Sequence, residues 1–403
     1  MFKLILKMAW ENSFLRLSRT LLVIIMIAVS MSMMLGIQGL YDGMAENMID
    51  KSKRSDSGDI SIFAKDYRIE RDIKNIIKDA SSIKKKIEIL DGVEAVVLRL
   101  SADGLISTAR KSSFSIIRGI ELKDEEKFGR FSEFLKGGEL NLSKRSAIIG
   151  IELAKTLKLR LGSKVIFSTQ DSSGEINSIA LRVRGIVQTT NISLDKNTIY
   201  IDKQILHKFL SVDETYATQI SILSKNKELL SKLKQEYPSL DIKSFFELQP
   251  MMKMMQDMMI IFNSITFFIV MLVVFIGILG VMYVSILDRV REFGIMLGIG
   301  MEYKYIRAQI ILESVIVSFI GYLLGAILGA IVLLYLNQYG LNLSSFADAL
   351  ESWGMETVLY AAIKVSYFSS TFFAIIAAAI LSVWIPLRKI KKLNPVEVIK
   401  AEK

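Results

Sequence analysis

The residues best suited to chemistry in this chain lie in RVREFGIMLGIG at 289–300, where two arginines, a glutamate, a phenylalanine and three glycines separate two long apolar runs. Charge and glycine in that setting serve recognition, because a short basic segment between two membrane helices is presented to the cytoplasm. Covalent catalysis has little to work with. The chain has no Cys, which removes thiolate chemistry and disulfides without fixing the redox compartment. A single histidine, His207, argues against a multi-histidine metal site or a His-based triad. No G-x-x-x-x-G-K-[ST] occurs, and no glycine cluster leads from a strand into a helix, so any nucleotide energy comes from another chain. Neither catalytic nor metal-binding residues are expected.

The elements that position this segment are apolar. The runs at about 259–287 and 308–336 are each long enough to cross a bilayer core of roughly 30 Å as a helix. Two further runs qualify, one near the start and one near the end. Lys3, Lys7, Arg16 and Arg19 precede the first, Arg388, Lys389, Lys391 and Lys392 follow the fourth, and Arg289, Arg291, Lys304 and Arg307 lie between the second and third. Positive flanks mark cytoplasmic ends, and the acidic connection with Asp348, Glu351 and Glu356 reads as an outward loop. The net charge of +10 suits anionic lipid or nucleic acid, but its position beside apolar runs favours membrane topology over nucleic acid.

The expected organisation is an α+β membrane protein with four transmembrane helices, one N-terminal and three C-terminal. An interfacial amphipathic helix occupies 1–19, with Phe2, Ile5, Leu6, Ala9 and Trp10 near helical spacing. Spans follow at 20–42, 257–287, 307–336 and 360–387. A large extracytoplasmic domain fills 43–256, a cytoplasmic loop 288–306, an external loop 337–359 and a basic tail 388–403. The first run has no A-x-A-like site after it, so it reads as a span and not as a cleaved signal peptide. Both termini are then cytoplasmic.

Within the exported domain, strands are expected at 59–65, 93–108, 113–120, 163–169, 178–189, 197–203 and 217–224. Helices fit at 68–88, 121–135, 150–160, 203–210 and 225–236. The domain is mixed α+β, with an interruption near 121–145 that would divide it into two lobes.

These residues resemble the membrane permease subunits of type VII ABC systems, which include FtsX, MacB and the lipoprotein-releasing LolC/LolE proteins. The resemblance rests on RVREFGIMLGIG, on Glu313-Ser314 with Gly321, Gly325 and Gly329, and on PLRKIKKLNPVEV at 386–398. IIGIELAKTLKLRLGSKV (148–165) and LRVRGIV (181–187) extend it into the outer domain. The start of the chain looks most like a LolC- or LolE-type subunit. The resemblance implies a non-enzymatic subunit in the bacterial inner membrane, with its large domain periplasmic. Two permease chains, alike or different, and a LolD-like ATPase dimer that binds ATP and Mg would extract lipoproteins from the outer leaflet toward the outer membrane. FtsX-like activation of a periplasmic enzyme and MacB-like efflux are the alternatives. A LolA-like carrier is a further implied partner, although TQDSSGEINS at 169–178, in the place of a carrier-gripping hook, is short, polar and without proline.

The same resemblance makes the cytoplasmic loop a coupling helix seated in the ATPase. Arg289, Arg291 and Glu292 would offer charged hydrogen bonds and Phe293 and Met296 an apolar plug, while Gly294, Gly298 and Gly300 allow close approach or a turn. The chain's nineteen methionines cluster in the first span and entering the second. Because thioethers adapt to irregular apolar shapes, Met34, Tyr41, Met255, Met258 and Phe262 are expected to line a lipid or lipoprotein cavity shared with a partner permease. Glu313 reads as an interfacial or packing carboxylate, and the glycines at 321, 325 and 329 as a close helix-packing stripe.

Overall fold

The computed structural model describes residues 2–143, 145–189, 191–346 and 357–391. In chain order the helices are α1 (Phe2–Phe14), α2 (Leu17–Ser55), α3 (Tyr67–Glu70), α4 (Ala80–Glu88), α5 (Leu122–Gly129), α6 (Ile151–Leu157), α7 (Ile192–Asn197), α8 (Lys203–Phe209), α9 (Leu229–Glu236), α10 (Phe245–Leu248), α11 (Pro250–Asp288), α12 (Val290–Gly298), α13 (Tyr303–Tyr339) and α14 (Val365–Lys391). The strands are β1 (Ile60–Ala64), β2 (Val93–Ser107), β3 (Ser112–Ile120), β4 (Leu135–Gly138), β5 (Ser146–Gly150), β6 (Lys164–Gln170), β7 (Ile176–Val187), β8 (Thr198–Asp202), β9 (Gln219–Ser224), β10 (Leu240–Ser244), β11 (Leu341–Asn342) and β12 (Val358–Leu359). Two compact units result, one formed by Met1–Ala45, Gln256–Ser345 and Thr357–Lys403, the other by Glu46–Met255 and Phe346–Glu356.

The first unit holds the helices long and apolar enough to cross a membrane: α2, α11, α13 and α14 through Arg388. Their limits differ from the expected spans. The helix expected at 20–42 runs from Leu17 to Ser55, the second starts at Pro250, and the fourth starts at Val365 and not at 360. In the first two, helical hydrogen bonding continues through polar residues that a hydropathy boundary cuts off, whereas the fourth is preceded by the short strand β12. The acidic residues Asp348, Glu351 and Glu356, and the tail from 392 onward, lie outside the described residues.

Val23, Ile27, Met31 and Leu35 recur every four residues on α2 and join Val317 and Leu333 of α13 and Ile375 and Val383 of α14 in one core. The glycine stripe of α13 lies on that ridge. A Cβ added at Gly325 would stand 2.9 Å from the Cβ of Met31 and 3.0 Å from the Cα of Ala28, and one at Gly329 would stand 2.4 Å from Leu35 Cδ1. Only glycine allows so close a backbone approach. On α11 a single seam, Met271, Val274, Ile278, Met282 and Ile286, is buried, whereas Ile261, Phe262, Ile265 and Phe268 are exposed. The expected apolar face of α1 is divided: Ile5 and Ala9 are buried where α1 packs on α13, and Leu6 and Trp10 are exposed.

The second unit is built on a ten-stranded sheet in the order β10-β1-β9-β2-β3-β8-β5-β7-β4, with β6 pairing β2 and β7. Strand β2 joins its two halves. Residues from Ala95 to Arg99 pair with β9, and those from Leu100 to Ser107 with β3. Each half has its own core, one around Ile62, Leu98 and Ile222 under α9, the other around Leu100, Phe167 and Ile199 under α6 and α8. The division therefore falls along β2 and not near 121–145, where α5, a 3-10 turn and β4 complete the structure.

All seven expected strands form within a few residues of their predicted limits. The helix expected at 68–88 does not form as one element. Arg71 and Asp79 adopt left-handed backbone conformations, and between them Ile77 leaves the helical path to bridge Ala217. Strands β4, β5, β10, β11 and β12 and helices α7 and α10 are additional to the expected elements.

Candidate functional site

Helix α12 interrupts the path from α11 to α13 because Asp288, Arg289, Arg291 and Glu292 follow the apolar run directly. It ends in a Schellman motif. Gly300, at φ 94°, donates to the carbonyl of Leu297, and Met301 donates to that of Met296. The left-handed position favours glycine and satisfies two carbonyls that the last turn leaves open.

Helix α12 and Ile299, which caps it, divide by face. Phe293, expected as part of an apolar plug for a partner, is fully buried in the helix core, and Met296 and Leu297 pack against the same core. Gly294 is buried as well. Exposed instead are Arg291, Glu292, Ile295, Gly298 and Ile299. The apolar part of the open face is thus Ile295 and Ile299, two residues that the sequence reading passed over.

Arg289 also turns inward. Its Nη1 donates to both carboxylate oxygens of Glu313, at 3.2 and 3.1 Å, and its Nε donates to Glu292 at 2.9 Å. Gln309 adds a donor to Glu313 at 3.1 Å, and the guanidinium lies 5.2 Å from the ring centre of Phe293. Arg289 and Glu313 are respectively 7% and 5% exposed. A charge so buried requires a partner and filled hydrogen bonds, and each supplies them to the other. One residue earlier Asp288 accepts hydrogen bonds from Arg16 and Arg19 at the junction of α1 and α2. Charge thereby fixes α12 to α13, and the end of α11 to the start of α2.

The residues expected to form a lipid cavity do not share one environment. Met34 is fully buried, whereas Met258 and Phe262 are exposed on α11, and Tyr41 and Met255 are half-buried. Met34 lies on the packed side of α2 within the single chain. Sequence reading also missed a polar latch between α2 and the start of α14: Asp42 accepts hydrogen bonds from Lys364 at 2.6 Å and Tyr367 at 2.7 Å.

In the second unit the ring nitrogens of His207 lie 2.7 Å from the Lys203 carbonyl and 2.9 Å from that of Tyr216, a packing role for the lone histidine. The segment 169–178 forms the β6–β7 hairpin. Asp171 accepts from the Ser173 and Glu175 backbone amides and from Asn177, which makes the turn short and self-contained.

Two family profiles match this architecture. One, described as FtsX-like permease C-terminal, covers residues 264–395, and the other, described as MacB-like periplasmic core domain, covers 20–239. The macrolide export ATP-binding/permease protein MacB of Pasteurella multocida is 27% identical over 259 residues, 59% of this chain and 36% of its own length. The lipoprotein-releasing system transmembrane protein LolC of Buchnera aphidicola is 27% identical over 259 residues, 60% of this chain and 63% of its own length. Among solved structures, the periplasmic region of MacB from Actinobacillus actinomycetemcomitans aligns with 48% of this chain and 92% of its own at 18% identity, with a TM-score of 0.34. The chain spans less than two thirds of either relative's length.

Proposed function

The chain belongs to the family of ABC transporter permeases that combine an FtsX-like C-terminal region with a MacB-like periplasmic core, and on that premise we propose that α12 is its coupling helix. In this reading a separate ATPase dimer, carrying ATP and Mg, docks on the open face of α12. Arg291 and Glu292 supply charged hydrogen bonds, and Ile295 and Ile299 supply apolar contact. Arg289, Phe293 and Gly294 hold the helix against α13, and Gly298 and Gly300 end it. The observation that supports this is the buried Arg289–Glu313 pair, which makes α12 and α13 a single lever. Both termini and α12 would be cytoplasmic, in a bacterial inner membrane, with the sheet domain outside.

For cargo we propose lipoprotein extraction by a pair of such permeases. The exposed apolar side of α11, including Met258 and Phe262, suits acyl chains or a second permease chain. Efflux of a small molecule is the second reading, favoured by relatives that are named for macrolide export. The test is purification with the co-expressed ATPase, followed by reconstitution into liposomes. Lipoproteins that co-purify and are released on ATP addition support extraction. ATP-dependent macrolide transport without them would support efflux and reject extraction.

A further inference from the structure

The sheet domain holds a cavity of about 250 Å³ that the coupling reading does not use. Its lining includes Arg118, Ser57, Arg68 and Arg71, beside apolar Ile116 and Leu248. Arg118 is 7% exposed. Its Nη1 donates to Asp56 at 2.7 Å, but its Nε–H has no partner among the described residues. The hydroxyl of Ser57, also buried, has none either. A guanidinium cannot give up its proton, so a buried unmatched N–H calls for an acceptor.

Two more arginines stand at the rim. Arg68 lies within the short helix α3 and Arg71 follows it, and they reach Asp241 and Asp103 at 3.3 and 3.2 Å. Asp66 before α3 and Arg71 after it are both held at positive φ, a backbone strain that persists only where the surroundings impose it. Three guanidinium groups and the Asp56 carboxylate thus line one small space; Asp56 is taken by Arg118, and the rim pair are tied to partly exposed carboxylates, Arg68 also lying over the Phe63 ring.

We propose that this cavity binds a small organic anion, whose carboxylate or phosphate oxygens accept from Arg118 Nε and the Ser57 hydroxyl and draw Arg71 and Arg68 inward. Ile116 and Leu248 suit an apolar substituent on the same molecule. The cavity and α12 share no residue, so loss of anion binding is expected to leave ATPase stimulation intact, and loss of coupling to leave anion binding intact.

The test uses the full chain in detergent at constant ionic strength, titrated calorimetrically with hexanoate or inorganic phosphate against a chloride background. Saturable binding of either probe is expected; hexanoate identifies a carboxylate site and phosphate a phosphate site. Arg71→Gln is expected to weaken binding at least tenfold without changing the melting temperature of the unliganded protein. Arg118→Met should abolish it. If Arg118→Met does not fold, the rim variants Arg71→Gln and Arg68→Gln carry the test alone. Failure of both probes to saturate overturns the proposal, as does binding that neither rim variant weakens.

Discussion

Arg289 meets both carboxylate oxygens of Glu313 across 24 residues of sequence, at 3.2 and 3.1 Å. Both side chains are more than nine-tenths buried, and the short helix and the long one that follows it are therefore joined by charge as well as by chain. Displacing α12 without α13 would separate a buried ion pair.

Removing one partner should be worse than removing both. Glu313→Ala leaves the buried Arg289 guanidinium with the exposed Glu292 as its remaining charge partner and is expected to cost up to about 3–5 kcal/mol, whereas Arg289→Met with Glu313→Leu should recover most of that loss. Thermal unfolding in detergent measures it. A double variant no more stable than Glu313→Ala would contradict the pairing.

The glycine stripe gives a second test with an internal control. Gly325→Leu forces a side chain into Met31 and the backbone of Ala28, and should destabilise the helix unit by about 1–3 kcal/mol or more. Gly280→Ala, where an added Cβ meets nothing within 4 Å, should be neutral or better. Equal melting temperatures for the two variants would mean that α2 and α13 do not approach as described.

Much of this was legible in sequence, for reasons that vary by element. In β7 the alternation of buried Leu181 and Val183 with exposed Arg182 and Arg184 announces a half-buried strand. The four apolar helices announce themselves by length. Strand β5, SAIIG, is buried at every position and has no period to read. The faces of α12 were misread because Phe293, Ile295, Met296 and Ile299 are all apolar, so composition cannot say which of them faces the core. The Arg289–Glu313 pair was missed because it exists only once the chain reverses between α12 and α13. Glu313 had stood out as a carboxylate within an apolar run, but nothing local named its partner.

The sheet domain should show a pH dependence centred on Asp195. Burial pushes its carboxyl up to about 6, against the opposing effect of hydrogen bonds from the Thr189 amide and hydroxyl. The folded state then binds more protons than the unfolded state between about pH 4 and pH 6, so this group's stabilisation is complete below that window and is lost as pH rises through it. The stability of the wild type relative to Asp195→Asn should fall by roughly 2–3 kcal/mol from pH 4 to pH 7. A constant or rising difference would reverse the assignment.

The capping box that starts α10 is a smaller, local test. Ser244 accepts from the Glu247 amide, and Glu247 accepts from the Ser244 amide. Ser244→Ala should cost about 1 kcal/mol in chemical denaturation, and Ser244→Asp much less. Equal losses in the two variants would argue against a capping role.

The central claim is that the open face of α12 receives the ATPase while its buried face holds α13. The most direct measurement is the ATP hydrolysis rate of the co-purified complex carrying Ile295→Asp and Arg291→Glu, alongside the melting temperature of the permease alone. Both residues are exposed, so the melting temperature should not move, while hydrolysis coupled to the permease should fall at least tenfold or the ATPase should dissociate. Unchanged hydrolysis and retention of the ATPase would contradict the account.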